Sequence, residues 1–476
     1  MEDDDVSTGF AESVDSFFLL VNAMIIFLMQ CGFAFLEAGS VQAKNTTNIL
    51  IKNLLDVFLG AIAYWAVGYA FAFGDPQNGF IGHSYFFFSR MPDDLLSHFF
   101  FHFVFAATAA TIVSGAMAER TDFKAYMIYS VVITGFMYPV VSHWAWADEG
   151  WLFVGINIGG ENNGTTNVAY QDFAGSSVVH MVGGIAALVG AAILGPRLGR
   201  FDKEEHNHNF QGHTVPLVAL GGFILFFGFF AFNGGSQAAI SNENDGVVVA
   251  IAIVNTIICG AAAALIALVV GKFVYGTKKW SLLTTINGGL TGMVAICAGC
   301  NVVYAWGAFV TGVLAGAVYI GVSALVLKLK IDDPLDAVAV HFGGGLLGIL
   351  TVPFFGRDIG VFITPNTRIA FTGFAWNLLG ACVIAVWTGS ISLVLFGTLH
   401  LLGLLRVSKE VEEKGLDITE HGEAAYPLMA YVGNDSHVVK NNGFSNGHPQ
   451  LAHLEARENP AFDGDTAKDE EAATAT

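Results

Sequence analysis

Apolar runs of about twenty residues, separated by short polar connections, recur along most of this 476-residue chain. A helix needs about 20 apolar residues to cross a hydrocarbon core of roughly 30 Å. Eleven stretches qualify: about 17–39, 50–73, 98–118, 125–146, 173–195, 215–236, 247–270, 282–300, 306–327, 335–355 and 369–403. Backbone groups cannot be left unpaired in lipid, so each stretch is predicted to be a helix. The expected fold is therefore an all-α polytopic membrane protein with eleven transmembrane helices across residues 17–403.

An odd number of crossings puts the two ends on opposite faces. Basic residues favour the cytoplasmic side. With the N-terminus outside, the inner connections carry Lys44, Arg120, Arg197, Arg200, Lys272, Lys279, Lys328 and Arg406 among others, and the outer ones only Arg90, Arg357 and Arg368. Residues 1–16 then read as an extracellular tail. Residues 404–429 read as a charged cytoplasmic segment, with a short helix and turn. Residues 430–476 read as an acidic, disordered cytoplasmic tail.

Two stretches share a local frame. "DFAGSSVVHMVGG" (172–184) and "DPLDAVAVHFGGG" (333–345) each place a His eight positions after an Asp, with two glycines just beyond. Asp172, His180, Gly183 and Gly184 match Asp333, His341, Gly344 and Gly345. They begin the fifth and tenth apolar segments. The eleven helices thus divide as five plus five plus one, with repeat one over about 17–195 and repeat two over about 215–355. Five helices per unit make the second unit inverted, and such repeats place a transport path at their interface. Eight helical residues advance about 12 Å, so each His is expected to descend from an opposite face toward the other.

Composition narrows the class. The chain is 54% hydrophobic and only 13% charged, against about 25% charged in a soluble domain. The net charge of −19 argues against a nucleic-acid partner. Cys31, Cys259, Cys297, Cys300 and Cys382 all fall in apolar segments, without the two ligand pairs of a zinc site, so no metal site is indicated; neither a cofactor nor an enzymatic activity is expected. The acidic N-terminus lacks the basic region of a cleavable signal, and the first apolar segment is expected to be retained. Asn163, in "NGT" of an outer loop, is a candidate glycosylation site.

Ionisable groups inside a membrane are costly and usually face a path or a partner. The plain alternative for each His is a hydrogen bond to a neighbouring helix; the repeated frame tips the reading toward a path. Two facing neutral imidazoles can share one proton, giving a polar strip suited to a small hydrogen-bonding solute or a proton relay. A bare cation fits poorly there, because its desolvation is expensive. Aromatic residues cluster at predicted outer helix ends. "FFFHFVFAATAAT" puts Phe101 and Phe105 on one face, "VVSHWAWADEG" ends on Trp146, and "FFGFFAFNGGS" puts Phe232 and Ser236 at i,i+4. Ring faces with one hydroxyl attract a small cation, although Trp146 alone reads as an interfacial belt residue.

At these residues the chain resembles the ammonium transporter family of the Amt/Rhesus superfamily, in particular its plant- and invertebrate-type branch. "DFAGSSVVHMVGG", "GAMAER", "YPVVSHWAW", "GPRLGRF", "FGFFAFNGGS" and "AVHFGGG" occur in the family's order, from about residue 17 to 430. The resemblance implies a plasma-membrane homotrimer with one pore per subunit, carrying ammonium and methylammonium. It implies that Phe105, Trp146 and Ser236 recruit ammonium, that Phe105 and Phe232 form a gate, and that His180 and His341 line the pore. Asp172 is similar to the family's essential aspartate, which supports the outer site, and Asp333 is its symmetry mate. Thr419 in "GLDITEHG" is similar to a phosphorylation switch, which makes a kinase a partner. Two departures stand out: Cys297 in "AICAGC" where many members have Thr, and Phe229 where bacterial members often have Trp. The rival functions are a Rhesus-type gas channel for ammonia or carbon dioxide, and an ammonium sensor acting through the tail.

Overall fold

The computed structural model describes residues 2–75, 78–159, 165–202, 210–274, 279–357 and 360–427. Asn163 and residues 430–476, the expected acidic tail, lie outside them. The described residues up to Ala425 form one compact unit.

Ten helices among the described residues are long and apolar enough to cross a membrane. They are α1 (Gly9–Ser40), α2 (Ala43–Phe73), α3 (Asp93–Met117), α4 (Phe123–Val154), α5 (Ser176–Leu194), α6 (Val215–Gly235), α7 (Asp245–Val274), α9 (Ala305–Lys328), α10 (Val338–Phe355) and α11 (Thr367–Leu401). A shorter apolar helix, α8 (Leu282–Ile296), stands where the eighth crossing is expected. It ends before the expected residue 300, because the chain turns at Cys297, Ala298 and Gly299. There the Cys297 and Ala298 carbonyls accept from Ala174 and Phe173 N–H. Helical structure at the N-terminus begins at Glu2, so much of the stretch read as a tail continues the first helix. A short antiparallel hairpin, β1 (Ile156–Gly159) with β2 (Thr165–Val168), joins α4 to α5. Its four-residue strands have no long apolar pattern to announce them. After α11 come α12 (Lys409–Lys414) and a wide helical turn at Asp417–His421.

The packing pairs equivalent members of the two five-helix groups. α1 lies along α6, and α5 along α10. Within each group the third helix packs on the fifth, α3 on α5 and α8 on α10. Both α5 and α10 open with a π-helical turn, Ser176–Met181 and Val338–Gly343. Such turns concentrate at functional sites, and here each holds its His.

Candidate functional site

The paired glycines explain how two helices come close enough for their imidazoles to meet. A Cβ on Gly184 would lie against the Phe342 backbone N and 2.8 Å from its Cα, and one on Gly345 3.0 Å from Met181 Cγ. The other member of each pair seats its helix on the third of its group: Gly183 on Ile112 of α3, Gly344 on Thr291 of α8. Only a missing side chain permits such approach. His180 Nδ1 then stands 3.2 Å from His341 Nδ1, and the rings stack 5.2 Å apart at 19°. His180 is fully buried and His341 nearly so. Two neutral imidazoles at this distance share one hydrogen, one ring donating and the other accepting. His180 Nε2 is buried and has no partner among the described residues, leaving a place for a small hydrogen-bonding solute.

Each aspartate caps the helix that carries its histidine. Asp172 Oδ2 accepts from Ser177 N (2.8 Å), Ser177 Oγ (2.6 Å) and Val178 N (3.0 Å), and Oδ1 from Gly175 N (3.1 Å). Asp333 Oδ2 accepts from Val338 N at 2.8 Å, the same fifth position onward as Ser177. Burial raises the Asp172 carboxyl above its ordinary value despite these donors. Burial, with the neighbouring Asp336 charge, pushes Asp333 up to about 7. Three residues after each aspartate the backbone turns left-handed, at Gly175 (φ 99°) and at Asp336 (φ 59°). Asp tolerates that region better than most side chains. Tyr319 and Ser323 hydroxyls, both 2.9 Å away, hold the Asp336 carboxylate there.

On the other side of His180 a column of rings leads away from the pair. His180 lies 5.4 Å from Phe232 and 5.7 Å from Phe229, which stacks on it at 27°. Phe232 stacks on Phe105 at 4.2 Å, and Phe105 meets Trp146 edge-on at 5.9 Å. Phe105 and Phe232 are fully buried. Trp146 is half-buried and ends the Tyr138–Trp146 stretch of α4, fixed by its indole N–H donating to Asp172 O at 2.8 Å. Ser236 is half-buried too, and donates to Phe232 O at 2.7 Å. The expected gate pair, the histidine pair and Trp146 thus form one continuous ring series. Ser236 joins it through the backbone of Phe232. Cys297, at the C-terminal end of α8, donates its thiol to Met293 O at 3.1 Å.

Two groups escaped the sequence reading. His102 sits between Trp146 (5.7 Å), Phe105 (6.2 Å) and Phe73 (4.2 Å), and its buried Nδ1 has no partner among the described residues. His98, one turn earlier, is 4.2 Å from it and bonds Tyr69 Oη at 3.0 Å. The i,i+4 spacing in "HFFFH" was the available signal, masked by the phenylalanines around it. The second group is Glu37, Lys52 and Asp56, all buried within α1 and α2. A charge inside an apolar run was signal enough. Glu37 Oε2 accepts from Ser114 Oγ (2.7 Å) and Asn53 Nδ2 (2.9 Å). Asp56 accepts from the Tyr126 hydroxyl, and Lys52 donates to Thr121 O at 3.1 Å. A small cavity of about 30 Å³ lies against His341, lined also by Glu37, Asn287 and Phe33.

The segment after α11 docks on the start of α2 of the same chain. Lys44 Nζ donates to Glu412 O and Glu413 O, Leu416 N to Asn45 Oδ1, and Asn48 N to Asp417 Oδ1 at 2.9 Å. Thr419 is exposed and donates to Gly415 O at 2.6 Å. Beneath it, Arg197 pairs with Glu119 and, at 2.7 Å, with Asp332. Burial opposes it, but the Arg197 and Arg120 charges hold Asp332 well below the usual carboxylate range.

The sequence model of the Ammonium Transporter Family matches residues 16–426. A Caenorhabditis elegans protein, "Putative ammonium transporter 1", is 49% identical over 443 residues, covering 90% of this chain and 81% of its own. Arabidopsis thaliana "Ammonium transporter 1 member 2" is 43% identical over 410 residues, covering 82% and 79%. Among solved structures, a "Sensor Amt Protein" superposes with a TM-score of 0.77 at 34% identity, covering 87% of this chain and all of that one.

Proposed function

The chain belongs to the ammonium transporter family, and from that premise we propose that it carries ammonium and methylammonium across the plasma membrane. In this reading eleven helices cross the bilayer in two inverted repeats plus one, with the N-terminus outside, and three copies assemble with one pore each. Ammonium is drawn to the outer end by the faces of Trp146 and Phe105 and by Ser236; ring faces attract a cation by about 0.5–2 kcal/mol. It gives up one proton there. Neutral ammonia passes the Phe105–Phe232 stack and moves along His180 and His341, where the unpartnered Nε2 of His180 offers the missing hydrogen bond. The proton crosses separately, so transport moves charge. Potassium has no proton to shed and is rejected. Asp172 and Asp333 act by capping the histidine helices.

The observation that carries this reading is the imidazole pair at 3.2 Å, buried at the symmetric crossing and continuous with the ring column. Ammonium currents in voltage-clamped cells test it. Wild type should give a saturating inward current, and His180→Ala and His341→Ala should abolish most of it at matched surface level. A wild-type chain without ammonium current, or alanine variants that conduct fully, overturns it. The likeness to a sensor structure favours a second reading, in which ammonium binding is relayed through the docked segment after α11. That reading is selected if binding persists with no current.

A further inference from the structure

The histidine pair leaves Glu37 unused, although this carboxylate shares a pocket with His341. Among the described residues its donors are Ser114 and Asn53, and both meet Oε2. Lys52, the nearest buried cation in sequence, acts on Glu37 only through space: its ammonium donates to Thr121 O and lies 5.3 Å from the Tyr126 ring. No cation makes ion-pair contact with Glu37 among the described residues. A carboxylate in an apolar, membrane-embedded pocket is stable only with a proton or a counter-cation. The pocket lies beyond His341, on the side of the pair away from Phe232. It also offers the Asn287 amide and the faces of Phe33 and His341. These groups favour a small cation that donates N–H bonds. A bare metal ion would want several oxygens.

We propose that Glu37 forms a second cation site, at the inner end of the path, which binds ammonium from the cytoplasmic side. The orientation rests on the transport reading above; the site itself rests on the pocket. Glu37 fixes the ion by charge, and Ser114 and Asn53 fix Glu37.

The test compares half-saturation by ammonium applied to either face, in patches of full-length protein. Glu37→Gln keeps the shape and removes the charge. Losing a charge-assisted hydrogen bond corresponds to about tenfold or more in affinity. Half-saturation from the cytoplasmic face should rise by that factor while the outer value stays put, and Glu37→Asp should fall between. The unchanged outer value also certifies that the variant is folded. Equal half-saturation for Glu37→Gln and wild type on the cytoplasmic face overturns the site. Should Glu37→Gln not reach the surface, Ser114→Ala serves: it frees the carboxylate and should shift only the inner value, by several-fold, and no shift overturns the site. If wild type carries no current at all, the transport reading has failed. The site is then judged by melting of the purified chain in ammonium chloride against sodium chloride. An ammonium-specific rise lost in Glu37→Gln supports it, and a rise equal in both, or none in wild type, overturns it.

Discussion

Replacing Asp172 by alanine should unseat the helix that carries His180. The carboxylate accepts four hydrogen bonds, three of them on Oδ2 from Ser177 and Val178. The site is buried, so water cannot take the carboxylate's place. Of the freed donors, the Ser177 and Val178 N–H groups have the least freedom, because they open the π-helical turn Ser176–Met181. A buried donor left unpaired costs about 1–3 kcal/mol, so two backbone donors cost roughly 2–6 kcal/mol by the same scale. Asp333 makes one such bond, to Val338 N, and Asp333→Ala should cost about 1–3 kcal/mol. The melting temperature of purified Asp172→Ala should therefore fall further than that of Asp333→Ala, with Asp172→Asn between wild type and Asp172→Ala because the amide keeps one acceptor. Ammonium current should follow the same order at equal surface level. An Asp172→Ala protein that melts with wild type and conducts normally would refute the capping argument. One that melts with wild type but does not conduct would mean that Asp172 acts at the mouth directly, and that the four bonds are incidental to its role.

His102→Leu removes the ring between Trp146 and Phe105 and should raise half-saturation for external ammonium several-fold with less effect on maximal current; unchanged half-saturation refutes a role at the mouth. Thr419→Asp adds a negative charge beside Asp417, which holds Asn48 N, and Glu420; like-charge repulsion should undock the segment and nearly silence the current. Full current at equal surface level from Thr419→Asp would exclude a switch at this residue. Asp333 has its folded-state pKa raised from 3.8 to about 7, so the folded chain binds more protons than the unfolded one between those values. Its contribution to stability is then greatest below about pH 4 and is lost as pH rises toward 7. Asp333→Asn should flatten the fall of melting temperature over that window, and an unaltered slope would exclude Asp333 as its source.

The crossings were legible because lipid imposes one length and one polarity on every span. The pattern also held the paired frame of Asp172 and Asp333, since each caps the helix that carries its own histidine at the same spacing. What the pattern lacked was local detail set by partners far along the chain. α8 stops at Ile296 because its end turns to receive Phe173 and Ala174 N–H, a contact across more than a hundred residues. The hairpin at Ile156–Gly159 and Thr165–Val168 is too short for an alternating signal. Glu37, Lys52 and Asp56 were visible as charges in apolar runs. Their meaning depends on Ser114, Asn53 and Tyr126 from other positions in the fold, which no local reading supplies. The segment at 404–429 read as a short helix and turn, and Lys409–Lys414 with Asp417–His421 is that; its docking on Lys44, Asn45 and Asn48 was not legible, because those residues lie at the opposite end of the sequence.

A symmetric frame raises the question of how the two ends of the path come to differ. The answer lies at the left-handed residue before each histidine helix. At Gly175 there is no side chain, and the Trp146 ring moves in: a Cβ there would lie 3.2 Å from Trp146 Cη2. At the equivalent position, Asp336, the side chain is present and is drawn aside by Tyr319 and Ser323 of α9. One end of the crossing is thereby covered by an indole, whose face suits a cation. The other carries carboxylates, Asp333 and Asp336 at its rim and Glu37 in the pocket beyond His341. Two π-helical histidine turns of unlike sequence thus sit between unlike surroundings, and in the proposed transport reading those surroundings set the direction of the path. Gly175→Ala probes this directly. It adds one methyl group in a backbone region that alanine disfavours, 2.7 Å from Val179 Cγ2 and 3.2 Å from the Trp146 ring, and replaces neither histidine nor either capping aspartate. Half-saturation for external ammonium should rise while the inner value is unchanged. A loss confined to maximal current, with both half-saturations intact, would mean that the indole sets throughput and that recognition lies elsewhere along the ring column.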